Sequence, residues 1–232
     1  MLLGSFELLL YDPASFVRLT VLVIFALLTA ITVHEFSHSL IATVLGDGTS
    51  RSLGRLSLNP IRHLDPSGAV MMLVVGFGWG KPVPVNHHQL RGPWGMTLVA
   101  AAGPLSNLAL AFLVAIPVKL GLLGWSAPGL YRATHVLSGG MREALTDIAG
   151  VVIFFNVLLA VFNLIPIYPL DGSRVLGGLL PDSMADSYAK FERFGPLILL
   201  GIILADYVLR LGLLWKVIGP VVTALISLAT GF

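Results

Sequence analysis

His34-Glu35-Phe36-Ser37-His38 lies inside an apolar run, from about Phe16 to Leu45, that is long enough to cross a bilayer. Residues four apart project from the same face of a helix, so both imidazoles point the same way. In the H-E-x-x-H pattern two histidines bind zinc and the glutamate acts on a water molecule. Ionisable side chains within a membrane span are costly and mark a functional site by default. The stretch therefore predicts a membrane helix that carries a metal centre.

The structural alternative is a pair of helical histidines packed against neighbouring helices, with Glu35 neutral and hydrogen-bonded. Hydrocarbon offers no water to compensate idle polar groups, so this alternative is the weaker one.

Composition supports the membrane assignment. Hydrophobic residues make up 56% of the chain and charged residues 11%, with a mean hydropathy of +0.90. These values are typical of multi-pass membrane proteins. The chain has no cysteine, so a metal must be held by nitrogen and oxygen. The net charge is only +2, and no basic stripe with interleaved aromatic residues indicates nucleic acid as a partner.

Further apolar stretches predict the rest of the fold. Two full spans are expected at about Pro93–Leu120 and Met141–Ile167, the second ended by prolines. Phe194–Phe232 predicts either two short helices with a break near Arg210–Lys216 or one long tilted helix. Gly68–Gly80 is too short to span and predicts a re-entrant loop or short β element.

The expected fold class is therefore an all-α polytopic membrane protein with roughly four to six transmembrane segments. We expect residues 1–232 to form a single membrane-embedded domain. Its core would be 16–174, followed by a C-terminal helix or helical hairpin at 194–232.

A catalytic zinc ion usually takes three protein ligands and one water, so the two histidines need a partner. Asp171, just past the end of the third span, is the best remaining acid, although an Asp-Gly after proline is also a common turn former. If Asp171 joins His34 and His38, the first and third spans run the same way and the second runs oppositely. Glu35 would then be the general acid/base that handles the proton of the attacking water.

Asparagines inside the spans need hydrogen-bond partners. Asn107 and Asn163 could bind an unwound substrate backbone or stabilise an oxyanion. The alternative is an interhelical hydrogen bond between the second and third spans, which would also explain Asn156. His63, in the loop after the first span, could be an extra metal ligand, could lie in the shell around the metal ligands, or could merely lie at the interface.

Charges suggest an orientation. The predicted site side carries more Lys and Arg, namely Arg51, Arg55, Arg62, Lys81, Arg91, Arg174, Lys190 and Arg193, against Arg18, Lys119, Arg132 and Arg142 on the other side. By the positive-inside rule the site is expected to open toward the cytoplasm.

Three blocks in this order resemble the site-2 protease family of intramembrane zinc metalloproteases. They are His34–His38, Gly103-Pro104-Leu105-Ser106-Asn107 and Asn163–Gly172, and Gly54–Pro60 and Lys81–Asn86 resemble a compact prokaryotic branch without PDZ or CBS domains. The resemblance implies one zinc ion per chain, held by His34, His38 and Asp171, with Glu35 as catalytic acid/base and Asn163 near the substrate.

The resemblance also implies a multi-pass protein of a prokaryotic cell membrane that cleaves transmembrane segments of other proteins, commonly after a first cut by a site-1 type protease. Two other functions compete: a metal-ion transporter, and a non-catalytic binder of membrane proteins on the same scaffold. The absence of repeated halves disfavours the transporter. Retention of Glu35, which metal binding does not need, disfavours the binder.

Overall fold

The computed structural model describes residues 6–68, 80–126, 137 and 139–232. The regular secondary structure within these residues is helical, and four helices are long and apolar enough to cross a membrane. An all-α polytopic membrane protein is thus confirmed, and the four candidate spans are α2, α4, α5 and α9. The helices are α1 (Phe6–Tyr11), α2 (Pro13–Val44), α3 (Thr49–Ser52), α4 (Gly95–Lys119), α5 (Met141–Asn163), α6 (Asp171–Leu179), α7 (Asp182–Glu192), α8 (Gly195–Leu209) and α9 (Leu213–Thr230).

Two span boundaries differ from the sequence prediction for local reasons. α2 begins at Pro13 because the Asp12 side chain accepts a hydrogen bond from the Ser15 N–H, and proline suits a first turn. α5 ends at Asn163, before the predicted Ile167, because Pro166 disfavours helical backbone in the residue that precedes it. These shifts leave the order of the spans unchanged.

Helix α5 lies at the centre of the spans. Its most apolar window is 67% buried inside the protein, against 22–39% for the other three spans. One face of α5 packs on Leu22 and Ala26 of α2. Another face, which carries Ile153 and Val157, packs on α4 and α9. Lipid tails are as apolar as leucine, so such contacts depend on close fit rather than on escape from water. In the cluster of α4, α5 and α9 that close approach is allowed by alanines, namely Ala111, Ala115, Ala149 and Ala229.

Helices α2 and α4 run antiparallel, as the metal argument predicted. Asn107 of α4 donates a hydrogen bond to the Ala30 carbonyl, whereas His38, further along α2, bonds to the carbonyl of the earlier Val99. Residue numbers therefore fall on one helix as they rise on the other. The first half of α4 faces the stretch of α2 that carries the motif.

The C-terminal apolar stretch forms two helices, which decides between the two alternatives that the sequence left open. Arg210 ends α8 with φ 51° and Gly212 precedes α9 with φ 63°, both in the left-handed region. An α-helix cannot continue through such residues.

The ends of the predicted re-entrant element meet each other. Leu64 and Gly80 form an isolated antiparallel bridge, and the Lys81 N–H donates to the His63 carbonyl over 2.8 Å. Residues 69–79 lie outside the described residues, so the re-entrant prediction for Gly68–Gly80 stays a prediction.

Buried Asp47 ties the chain after α2 to the segment before α4. One carboxylate oxygen accepts from the Thr49 N–H at 2.9 Å and the other from the Asn86 N–H at 2.7 Å. Burial alone would raise the pKa of Asp47, but these hydrogen bonds hold that pKa below its ordinary value of 3.8.

This clamp predicts a pH-dependent stability. Because the folded pKa is depressed, ionised Asp47 stabilises the fold fully above its ordinary pKa, and that stability is lost as pH falls through the folded value. We expect Asp47→Asn to lower the Tm by about 4 °C at neutral pH and by less below about pH 4. Thermal unfolding at both pH values measures this. Glu143→Gln, which removes an exposed carboxylate, is the control, and an Asp47→Asn penalty equal at both pH values would contradict the assignment.

Candidate metal centre

Two histidines of α2 and the first residue of α6 converge inside the protein. His34 Nε2 lies 3.0 Å from Asp171 Oδ2, and His38 Nε2 lies 3.2 Å from the same oxygen. The three candidate ligand atoms all lie within 4.8 Å of one another. Only 7%, 9% and 13% of the three side chains is exposed, in the order His34, His38 and Asp171. The structure thus brings together the three residues that the sequence singled out as metal ligands.

Hydrogen bonds to α4 select the tautomer of both imidazoles. His38 Nδ1 lies 2.7 Å from the Val99 carbonyl, which can only accept, so Nδ1 carries the proton. His34 Nδ1 lies 2.7 Å from Asn107 Oδ1 and donates to it in the same way. A neutral ring with its proton on Nδ1 keeps its lone pair on Nε2, the atom that faces Asp171 in both histidines.

The orientation of Asn107 follows from its other contacts. Its amide nitrogen donates to the Ala30 carbonyl over 2.9 Å and to Asn156 Oδ1 over 2.8 Å. Both amide hydrogens are therefore donated within the protein, and the oxygen is left to accept from His34. The Asn107–Asn156 bond is the hydrogen bond between the second and third spans that the sequence offered as an alternative.

Gly103 leaves the space that the two rings occupy. A Cβ atom at this position would lie 2.5 Å from His38 Nε2 and 2.7 Å from His34 Cε1. Gly103 stands one turn from Val99 and one turn from Asn107, so all three lie on one face of α4. This face therefore offers the imidazoles the Val99 carbonyl, the space at Gly103 and the Asn107 amide oxygen.

Asp171 reaches the histidines because the chain turns back sharply after α5. It is the first residue of α6, where the helix dipole favours a carboxylate. A Cβ on the next residue, Gly172, would lie 2.3 Å from the Leu164 carbonyl oxygen, so only glycine lets α6 start against the end of α5. The Asp171-Gly172 pair therefore forms the turn into α6 and also positions the Asp171 carboxylate beside the histidines.

The donor set fits zinc. Two imidazole nitrogens and one carboxylate oxygen are the ligands of many catalytic zinc sites, which keep a fourth position for water. Two atoms that each lie about 2.1 Å from a tetrahedral ion are about 3.4 Å apart. The observed Nε2–Oδ2 distances of 3.0 and 3.2 Å are close to that spacing.

Glu35 lies next to the cluster and outside it. The group of candidate ligands found among the described residues comprises His34, His38 and Asp171. The half-buried Glu35 carboxylate instead faces Gly80, where a Cβ would lie 3.5 Å from Oε1. The paired segment around Gly80 therefore borders the space beside Glu35.

Two predicted residues have other contacts. Asn163, at the end of α5, donates to the Leu159 carbonyl of its own helix over 3.0 Å and is half-buried. His63 is fully buried; its Nε2 bonds to the Ser57 carbonyl at 2.6 Å, and its Nδ1 has no hydrogen-bond partner among the described residues. A substrate contact for Asn163 and a supporting role for His63 at the metal stay predictions.

The chain is similar to known proteins over most of its length. Residues 22–205 match peptidase family M50. The chain belongs to that family. YwhC of Bacillus subtilis is 35% identical over 198 residues, which cover 82% of each chain. Rip2 of Mycobacterium tuberculosis is 30% identical over 199 residues, 84% of this chain and 71% of its own. Both relatives are named as candidate zinc metalloproteases. No solved structure matches the chain at a significant level.

Membership of M50 and the four apolar spans make this chain an intramembrane zinc metalloprotease. The resemblance to the site-2 protease family is confirmed, and zinc is the cofactor. The protein is multi-pass, its surroundings are the lipid bilayer and its substrates are membrane proteins. A transporter or a non-catalytic binder is not favoured.

The sequence missed two parts of this M50 site. Gly103 ends the small-residue patch Ala100–Gly103, which equally predicts a helix–helix contact, and only the structure shows that the gap at Gly103 holds imidazoles. The Val99 carbonyl carries no side-chain signal at all. The spacing of four between Val99, Gly103 and Asn107 is the one sequence feature that could have joined them.

Proposed function

We propose that this protease hydrolyses peptide bonds within or near transmembrane segments, with His34, His38 and Asp171 as zinc ligands and Glu35 as general acid/base. The observation that carries the proposal is the convergence of three ligand atoms within 4.8 Å, two of them on the membrane-spanning helix α2, which also carries Glu35. Residues 1–232 would act as one membrane-embedded domain.

The residues divide the chemistry between them. Zinc bound here supplies a Lewis acid and lowers the pKa of a coordinated water from 15.7 to about 7. Asp171 and the Nε2 atoms of both histidines would hold the ion, while the Val99 carbonyl and the Asn107 amide oxygen accept hydrogen bonds from the Nδ1 atoms and fix the orientation of the rings. Glu35 accepts the proton of the attacking water and returns it to the leaving amine. Asn163, at the end of α5, would bind substrate backbone that has left its helix.

Metal removal tests the proposal directly. In lipid nanodiscs that contain a protein with one transmembrane segment, we expect the wild-type enzyme to cleave that segment. Chelation should abolish cleavage, and one equivalent of zinc per chain should restore it. The fragments are located by mass spectrometry. Cleavage that persists in the chelated, zinc-free protein would contradict the assignment.

Asn107 is better suited to position His34 than to stabilise an oxyanion, because both its amide hydrogens are donated within the protein. We expect Asn107→Ala to weaken zinc affinity about 10- to 100-fold, the usual effect of losing a partner of a ligating histidine. Competition with a chelator of known affinity measures this. Asn163→Ala is the matched control: it should keep zinc affinity and raise the KM for the peptide. Equal zinc affinities for wild type and Asn107→Ala would exclude the positioning role.

We further propose that the site opens toward the cytoplasm and that substrates are first trimmed by a site-1 type protease. The excess of Lys and Arg on the side of the α2 C-terminus supports the orientation. Because the chain has no cysteine, a single Lys81→Cys reports the side of the membrane by labelling in intact cells. Labelling from outside would show the opposite orientation.

The need for a first protease has its own test. Equal cleavage of full-length and pre-trimmed substrates would show that no first cut is needed.

A further inference from the structure

Three cations line a groove of about 450 Å³ beside the C-terminal end of α2, together with apolar side chains. The cations are Arg55, Arg62 and Lys81, and the apolar residues include Leu53, Ile61 and Leu64. Among the described residues, no carboxylate oxygen lies within 4.0 Å of any of the three cations. The groove therefore carries positive charge that the described part of the chain does not neutralise.

The two arginines are held in place by backbone carbonyls. Arg55 is only 8% exposed and donates from Nη1 to the Arg62 carbonyl. Arg62 in turn donates from Nη1 to the Gly54 carbonyl over 3.0 Å. A guanidinium has five N–H groups, so each arginine retains further donors. A buried cation without a counter-ion is costly, and an anion that entered the groove would relieve that cost.

The walls of the groove distinguish between possible anions. Leu53 is 61% exposed and Ile61 is 76% exposed beside the cations. The 3-10 turn Pro60–Arg62 contacts α2, and α3 follows the end of that span directly, which places the groove where α2 leaves the hydrocarbon. A soluble anion gains nothing from apolar walls. A phospholipid presents a phosphate and acyl chains together at this level of the membrane.

We propose that this groove binds the headgroup phosphate of an anionic phospholipid, with Arg55, Arg62 and Lys81 around the phosphate and the acyl chains along Leu53 and Ile61. The site is separate from the metal ligands, and binding itself does not depend on proteolysis.

Bound lipid would act on the protease through the paired segment. The Lys81 N–H donates to the His63 carbonyl, and Gly80 pairs with Leu64 while bordering Glu35 Oε1. A phosphate bound by Arg62 and Lys81 would tie the two sides of this pair together next to Glu35. The consequence, which rests on the proposed function, is faster cleavage in bilayers that contain anionic lipid.

Lipid affinity tests the proposal without using activity. Full-length protein in a neutral detergent is titrated with phosphatidylglycerol or phosphatidylcholine, and bound lipid is counted by native mass spectrometry. We expect phosphatidylglycerol to bind more tightly. Lys81→Gln should weaken that binding about fivefold, and Lys81→Gln with Arg62→Gln about 25-fold, at the usual contribution of one interfacial cation each. Glu35→Gln should bind lipid as wild type does, so failure of the proposed catalysis would leave this result unaffected.

Lys190→Gln is the matched control, because it removes an exposed lysine of α7 that does not line the groove. It should leave the lipid Kd unchanged. Lys81 is also exposed, so Lys81→Gln decides the matter even if the variant at Arg62 folds poorly. The proposal would be overturned if Lys81→Gln left the lipid Kd unchanged, or if Lys190→Gln weakened lipid binding as much as Lys81→Gln. It would also be overturned if millimolar inorganic phosphate displaced the lipid.

Discussion

Replacing Glu35 by glutamine is expected to abolish most cleavage while leaving the metal in place. The amide has the shape of the carboxylate but cannot accept the proton of the attacking water. Positioned acid–base groups contribute about 10²- to 10⁴-fold, so the rate should fall by that factor. Zinc should stay at one ion per chain, because Glu35 lies outside the group formed by His34, His38 and Asp171. Cleavage of a transmembrane substrate and zinc content, measured on the same preparation, test both halves.

Two variants make the Glu35→Gln result specific. Glu143→Gln removes an exposed carboxylate in the first turn of α5 and should change neither rate nor zinc. His34→Ala should lose both activity and zinc, because it removes a proposed zinc ligand. If zinc content in Glu35→Gln fell in proportion to activity, Glu35 would be a ligand and its role as acid/base would be wrong.

The sequence was most informative where one short motif carried both geometry and chemistry. The spacing of His34 and His38 fixes a shared helix face, and the need for a third ligand led to Asp171 across a gap of more than a hundred residues. The structure places Asp171 beside both histidines, and the sequence could point to it because ligand number is a constraint on the whole site and does not depend on the local fold. The opposite direction of the second span followed from the same constraint.

Residues without a distinctive side chain could not be assigned in this way. A glycine in a small-residue patch, such as Gly103, fits a helix contact as well as an imidazole pocket. Asn107 was assigned to the site region but to two roles, and only the partners of its amide hydrogens separate them. The break between the two C-terminal helices depends on left-handed backbone at Arg210, and arginine rarely adopts that conformation. The sequence therefore could not decide between two helices and one.

Adding one methyl group at Gly103 is expected to damage the metal centre more than any other single methyl group in α4. The new Cβ of Gly103→Ala would lie 2.5 Å from His38 Nε2 and 2.7 Å from His34 Cε1, well inside van der Waals contact. The rings cannot swing aside freely, because Val99 and Asn107 on the same helix face hold their Nδ1 atoms. The ligands or α4 must therefore shift.

A shift of about 1 Å at a catalytic centre costs about 100-fold in rate, and we expect at least that loss for Gly103→Ala. Zinc affinity should fall as well, and overpacking should cost about 1–3 kcal/mol of stability. Gly201→Ala in α8 is the matched control, since a Cβ there meets nothing within 4 Å. It should preserve rate and zinc and raise helix stability slightly, as alanine does in an open helical position. If Gly103→Ala kept the zinc affinity and rate of the wild type, the first half of α4 would not pack on the imidazoles. The positioning role of Val99 and Asn107 would then be wrong as well.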